Sequence, residues 1–81
     1  MSNHELRKEA HDLDVTVWVG KGGVGAVTEE LKNQLQNEKL VKVKFLRAAR
    51  GGTSTDELAD ELADEVNAEL VETRGNTAVY H

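Results

Sequence analysis

The sequence contains no cysteine and no proline, and its only large aromatic residues are Trp18, Phe45 and Tyr80. Without cysteine, neither a disulfide framework nor a thiolate metal site can support the fold, and a reducing compartment suits the chain. His4, His11 and His81 lack metal-ligand spacing, so no metal and no cofactor are expected. No apolar run approaches the ~18 residues of a membrane helix, and the N-terminal stretch is polar and helix-like, unlike a signal peptide. A soluble, cytoplasmic protein is therefore expected. There is no cysteine nucleophile and no glycine-serine elbow, so nothing marks an enzyme. The missing proline has no direct functional meaning. Eighty-one residues allow one small domain, over residues 1–81, with one modest core.

Net positive charge is also lacking. The formal net charge is −5, which at first argues against a nucleic-acid partner. The charges are segregated, however. Residues 1–14 carry two basic and four acidic groups, residues 15–53 carry seven basic and three acidic, and residues 54–81 carry one basic and eight acidic. Local potential, more than the total, steers a charged partner. The acidic third reads as a solvated, solubilising face, and the acidic bias of the whole chain also fits a protein working at high salt.

What is present is a phosphate-cradling pattern. Val15-Thr16-Val17-Trp18-Val19 runs directly into Gly20-Lys21-Gly22-Gly23, and helical spacing begins at Val24. Glycine lets backbone N–H groups approach an anion closely, and a helix start adds donors and a positive dipole end. Three known phosphate motifs overlap here. Gly20, Gly22 and Gly25 fit a dinucleotide fingerprint, but the chain is too short for that fold and the following strand ends in Leu46-Arg47, with no acidic ribose ligand. Lys21 to Gly25 resembles the start of a ParA-type P-loop, but Ala26 and Val27 replace the lysine and hydroxyl that ATP and magnesium need. A Gly-x-x-Gly clamp of the KH type would bind single-stranded RNA. A plain strand-to-helix turn is the bland alternative.

The spacing of apolar residues predicts seven short elements. Leu6, Ala10 and Leu13 predict a helix over 4–13. Val15–Val19 predicts a strand, and Val24, Val27, Leu31 and Leu35 a helix over 24–37. Residues 40–46 alternate, with Val41, Val43 and Phe45 on one face and Lys42 and Lys44 on the other. Residues 48–53, with Arg50 and Gly51-Gly52, read as a mobile loop. Thr55 caps a helix over 56–66 whose stripe is Leu58, Ala59, Leu62, Ala63 and Val66. Residues 68–74 and 77–80 form a hairpin across Gly75-Asn76. The expected fold is an α/β (α+β) domain of αβαβαββ order, with helices packed on a four-stranded mixed sheet.

These residues resemble the CRM family, the chloroplast RNA splicing and ribosome maturation module, and in particular its small stand-alone YhbY-type members. Ala10-His11-x-Leu13 matches the first-helix signature, and Gly20-Lys21-Gly22-Gly23 matches the Gly-x-x-Gly loop. Glu38-x-Leu40-Val41-Lys42-Val43-Lys44 matches the second-strand signature, and Gly75 with Val79-Tyr80 matches the closing hairpin. Asp14, Asn37 and His81 depart from the usual proline, histidine and arginine. The resemblance implies a fold like the C-terminal domain of translation initiation factor three. It also implies binding of ribosomal RNA during large-subunit assembly.

The expected mechanism is binding without chemistry. Gly20 opens the loop, the N–H groups of Gly22, Gly23 and Val24 donate to an RNA phosphate, and Lys21 projects beside them. Lys32, Arg47 and Arg50 extend the phosphate track, and the tips of Lys42 and Lys44 emerge at the sheet edge. A monomer is expected, with RNA as partner and no membrane. The alternative is a protein-interaction adaptor whose acidic third helix docks a basic ribosomal protein. Trp18 is expected to lie mostly buried under the first helix as a stability residue.

Overall fold

The computed structural model describes Ala10 and residues 12–81. The helix expected over 4–13 lies outside the described residues for most of its length. The described elements are β1 (Val15–Val19), α1 (Thr28–Asn37), β2 (Val41–Phe45), α2 (Thr55–Val66), β3 (Leu70–Arg74) and β4 (Thr77–Tyr80). Short 3-10 turns occupy Val24–Ala26 and Arg47–Ala49.

The four strands form one mixed sheet in the order β1-β2-β4-β3. β1 and β2 run parallel across the α1 crossover, and β4 is antiparallel to both β2 and β3. The alternation expected along β2 holds. Val41, Val43 and Phe45 are buried, while Lys42 and Lys44 are half-buried on the other face. The β3–β4 hairpin closes across Gly75-Asn76, where Arg74 faces Thr77. Gly75 has φ +59 and Asn76 has no positive φ. That is the first-position glycine of a type II′ turn, which matches the twist of the flanking strands.

Helices α1 and α2 pack on one face of the sheet. Val17, Val19, Val41, Val43, Phe45, Ala78 and Tyr80 meet Leu31, Leu58, Ala59, Leu62 and Val66 there. The Tyr80 hydroxyl donates to the Ala59 carbonyl at 2.8 Å, so the buried phenol is satisfied. A second, smaller cluster forms on the opposite face from Ala10, Leu40, Val71 and Val79, with Leu13 against it.

Four expectations need correction. First, Trp18 is 53% exposed. Ala10 and Leu13 settle on Leu40, Val71 and Val79, at the end of the sheet where β2 begins, and leave the indole uncovered. Second, the segment 24–37 is not one α-helix. Val24–Ala26 is a 3-10 turn, Val27 breaks the geometry with φ −115 and ψ 3, and α1 starts at Thr28. The apolar stripe survives the break: Val24 and Leu31 are buried, and Val27 and Leu35 pack against the same core. Third, the cap of α2 is Ser54, whose hydroxyl accepts from the Glu57 N–H at 3.2 Å. Thr55 is already helical. Fourth, residues 47–53 form a hydrogen-bonded arch. Arg50 N–H donates to Arg47 O, Thr53 N–H to Arg50 O, and the Arg50 Nε to the Phe45 carbonyl at 3.0 Å.

Candidate nucleic-acid interface

Strand β1 ends at Val19, and the chain reverses through Gly20-Lys21-Gly22-Gly23. The Gly23 N–H donates to the Gly20 carbonyl at 2.9 Å and closes the turn. Gly23 has φ +75, a conformation that a side chain would strain. A Cβ on Gly22 would lie 3.1 Å from the Ala26 Cβ, so the loop also folds tightly against the following turn. Lys21 and Gly22 are exposed at the tip, Gly20 and Gly23 are half-exposed, and Val24 is buried as the anchor.

This geometry changes the expected anion cradle in two ways. The Gly23 N–H is already bonded within the turn, which leaves the Gly22 and Val24 N–H groups and the Lys21 ammonium as candidate donors. The α-helix dipole is also displaced: α1 begins only at Thr28, with Glu29 and Glu30 in its first turn. Carboxylates there offset the positive dipole end. The loop and its lysine remain, but the helix N-terminus contributes little.

The loop lies at the end of the sheet where β2 finishes. Leu46 N–H donates to the Val19 carbonyl at 2.8 Å, which clamps the start of the Arg47–Arg50 arch to the end of β1. A Cβ on Gly20 would sit 3.8 Å from the Leu46 Cδ1. Phe45 N–H donates to Asn76 O at 2.8 Å, which brings the β3–β4 hairpin to the same end. Lys21, Arg47 and Arg50 therefore share one end of the molecule. Arg47 is exposed, while Arg50 is half-buried and holds the arch through its Nε.

On the face opposite α1 and α2, register places Trp18 beside Lys44, Lys44 beside Thr77, and Thr77 beside Arg74. One row of side chains thus crosses all four strands next to the loop. Sequence reasoning missed Arg74, the sole basic residue after Thr53. Its signal was available in the hairpin, because a two-residue turn at Gly75-Asn76 fixes Arg74 opposite Thr77.

Two other expected site residues lie elsewhere. Lys42 belongs to the row next to Val79 and lines a groove with Leu13, Asp14, Glu38 and Leu40. Opposite it, the β1 register shifts between Val15, its partner, and Val17. The Thr16 hydroxyl bonds the Gln34 Oε1 on α1 at 2.6 Å. Lys32 is exposed on α1 and lines a second groove with Val66, Asn67 and His81, where β4 ends. It is not brought to the glycine loop.

Helix α2 carries a run of acids on the outer side of the helix layer. Asp60, Glu61, Asp64 and Glu65 are exposed along α2. Asp56 accepts the Thr73 hydroxyl at 2.9 Å, and Glu57 accepts that of Thr53 at 2.7 Å. Among the described residues, no cluster of His, Cys, Asp or Glu could hold a metal ion, and no helix is long and apolar enough to cross a membrane.

The family described as CRS1 / YhbY (CRM) domain matches residues 2–81. A Methanocaldococcus jannaschii protein named "Probable RNA-binding protein MJ0652" is 41% identical over 71 residues, covering 88% of this chain. The chain spans about half, 53%, of that relative's length. The solution structure of the hypothetical protein SAV1595 from Staphylococcus aureus, described as "a putative RNA binding protein", superposes with a TM-score of 0.78 at 30% identity. The superposition covers 98% of this chain and 81% of that one.

Proposed function

The chain belongs to the CRS1 / YhbY (CRM) domain family, and from that membership we propose that it binds RNA by its phosphate backbone, without catalysing a reaction. The observation that carries this reading is the meeting of the Gly20–Gly23 turn with the Arg47–Arg50 arch at one end of the sheet, held by the Leu46 N–H bond to the Val19 carbonyl. A lysine-tipped glycine turn beside an arginine arch presents donors to phosphate oxygens while reading no base edges. Such contacts fix register and give little sequence preference. The names of both relatives support RNA as the partner.

Ribosomal RNA of the assembling large subunit is the RNA we propose, bound in the cytoplasm by a monomer. Crosslinking in cells, sequencing of the bound RNA and sedimentation against ribosomal particles test this together. Reads concentrated on large-subunit RNA, with the protein sedimenting on its precursors, are the expected result. Reads spread over messenger RNA, with no protein on the particles, would contradict the ribosomal assignment. The competing adaptor reading places the contact on the exposed acids of α2. Loss of particle association on Asp60→Asn with Asp64→Asn, with no effect of loop changes, would select it.

A further inference from the structure

The row beside the glycine loop holds the chain's single tryptophan. Trp18 is 53% exposed and Leu46, at the same end, is 38% exposed; these are the exposed large hydrophobic residues of the described part. A half-solvated indole gives up much of the stabilisation that burial would provide. The fold had apolar material to cover it, since Ala10 and Leu13 lie on the same face, yet they pack further along, on Leu40, Val71 and Val79. Among the described residues, the face opposite α1 and α2 is thus covered at one end by Ala10 and Leu13, and the indole stands at the other.

A cation adjoins the indole in its row, and a second cation ends that row. Lys44 is opposite Trp18 in the register and Arg74 ends the same row, with Thr77 between them. Adjacent strands lie about 4.8 Å apart, so the row runs roughly 15 Å from indole to Arg74. The Thr77 hydroxyl donates to the Arg74 carbonyl at 2.8 Å, which directs that donor to its own strand. At the Trp18 end, Gly20 and Leu46 lead into the lysine-tipped turn. An aromatic face flanked by positive charge and joined to a phosphate-directed loop has the chemistry of a stacking platform.

Resting on the RNA-binding reading above, we propose that Trp18 stacks on an unpaired base, so that this domain takes single-stranded or bulged RNA in preference to a continuous duplex. Inside a duplex each base is covered above and below by its neighbours, and its π-face cannot reach an indole. In a single strand, a loop or a bulge it can. Lys44 and the Lys21 turn then hold the phosphates on either side of the stacked base. Stacking is tolerant of base identity, so the preference is for strandedness over sequence.

The test uses the full chain with two RNA probes, a single strand of about a dozen nucleotides, a length within the range that OB folds cover, and a duplex of the same sequence. Binding of end-labelled RNA is followed by anisotropy, and indole emission is followed in parallel. The wild-type protein is expected to bind the single strand more tightly and to show quenched emission. Trp18→Thr, which keeps a strand-forming side chain, is expected to lose roughly 5- to 150-fold in single-strand affinity, the value of one stacked base, with little change for the duplex. Trp18→Phe is expected to restore most of the loss. Undiminished single-strand binding by Trp18→Thr would overturn the platform and leave RNA binding standing. Failure of the wild-type protein to bind either probe at low salt would remove both. A wild-type dimer dissolved by Trp18→Thr would assign the face to a second copy of the chain and overturn the proposal.

Discussion

Lys21 stands at the tip of a turn closed by backbone, with no hydrogen-bond or ion-pair partner among the described residues, so its removal leaves the fold intact. Lys21→Ala is expected to change stability by less than about 0.5 kcal/mol. It should weaken RNA binding and reduce the salt dependence by about one phosphate contact. Gly23 is the converse case. Its φ of +75 with ψ −175 lies in a region essentially reserved for glycine, so Gly23→Ala should cost about 1–3 kcal/mol in denaturant unfolding, with a distorted turn. If Gly23→Ala matched the wild type in stability, the turn would not be held as described. Tyr80 sets an alkaline limit. Burial, with the Asp60 carboxylate adding to it, pushes the phenol well above its ordinary value of 10.0. A raised folded pKa means that the neutral phenol stabilises the fold fully below about pH 10, where the unfolded phenol ionises. That contribution is lost as the pH rises through the interval above. Tyr80→Phe should cost about 1 kcal/mol at neutral pH through the lost bond to Ala59 and should flatten the alkaline decline in Tm.

At the scale of elements, legibility followed periodicity. Strands β1 and β2 and helix α2 were readable because their apolar residues repeat cleanly and a single sheet face receives them, whereas β4, which buries residues on both faces, was readable from its Gly75-Asn76 turn. The start of α1 was misread because Val24 and Val27 keep helical spacing through a 3-10 turn, and spacing cannot distinguish the two when both bury the same stripe. The exposed indole was misread for another reason. The sequence offers Ala10 and Leu13 a choice of two ends on one sheet face, and only packing against Val71 and Val79, which are distant in the chain, decides between them. The cationic row was invisible for a related reason, since it depends on strand order. The caps of α2 yield a direct expectation. Ser54→Ala removes the acceptor of the Glu57 N–H and should cost about 1 kcal/mol. Asn67, left-handed at φ 55, should tolerate glycine within a few tenths of a kcal/mol and resist valine, a contrast read from thermal unfolding.

For the whole molecule, segregation of charge outweighs its sum. The exposed acids Asp60, Glu61, Asp64 and Glu65 lie on the α1–α2 side of the sheet, while Lys21, Lys44, Arg47 and Arg50 lie toward the loop, so a net −5 chain brings four cations to one end. Arg47→Ala should lower the slope of log affinity against log salt by about one phosphate's worth. Asp60→Asn with Asp64→Asn should leave that slope unchanged and raise affinity modestly through weaker long-range repulsion. Equal slopes for the wild type and Arg47→Ala would remove that arginine from the track. Arg50→Ala should reduce stability as well as affinity, because its Nε supports the arch through the Phe45 carbonyl.

The central claim is that RNA docks at the loop end of the sheet, and the most direct measurement is a titration of isotope-labelled protein with RNA, followed by amide and indole NMR shifts. The account predicts that the Gly20–Val24 amides, the Arg47–Arg50 amides and the Trp18 indole move together as RNA is added, while Asp60 to Glu65 stay still. Shifts confined to α2, with the glycine loop and the indole unmoved, would contradict it.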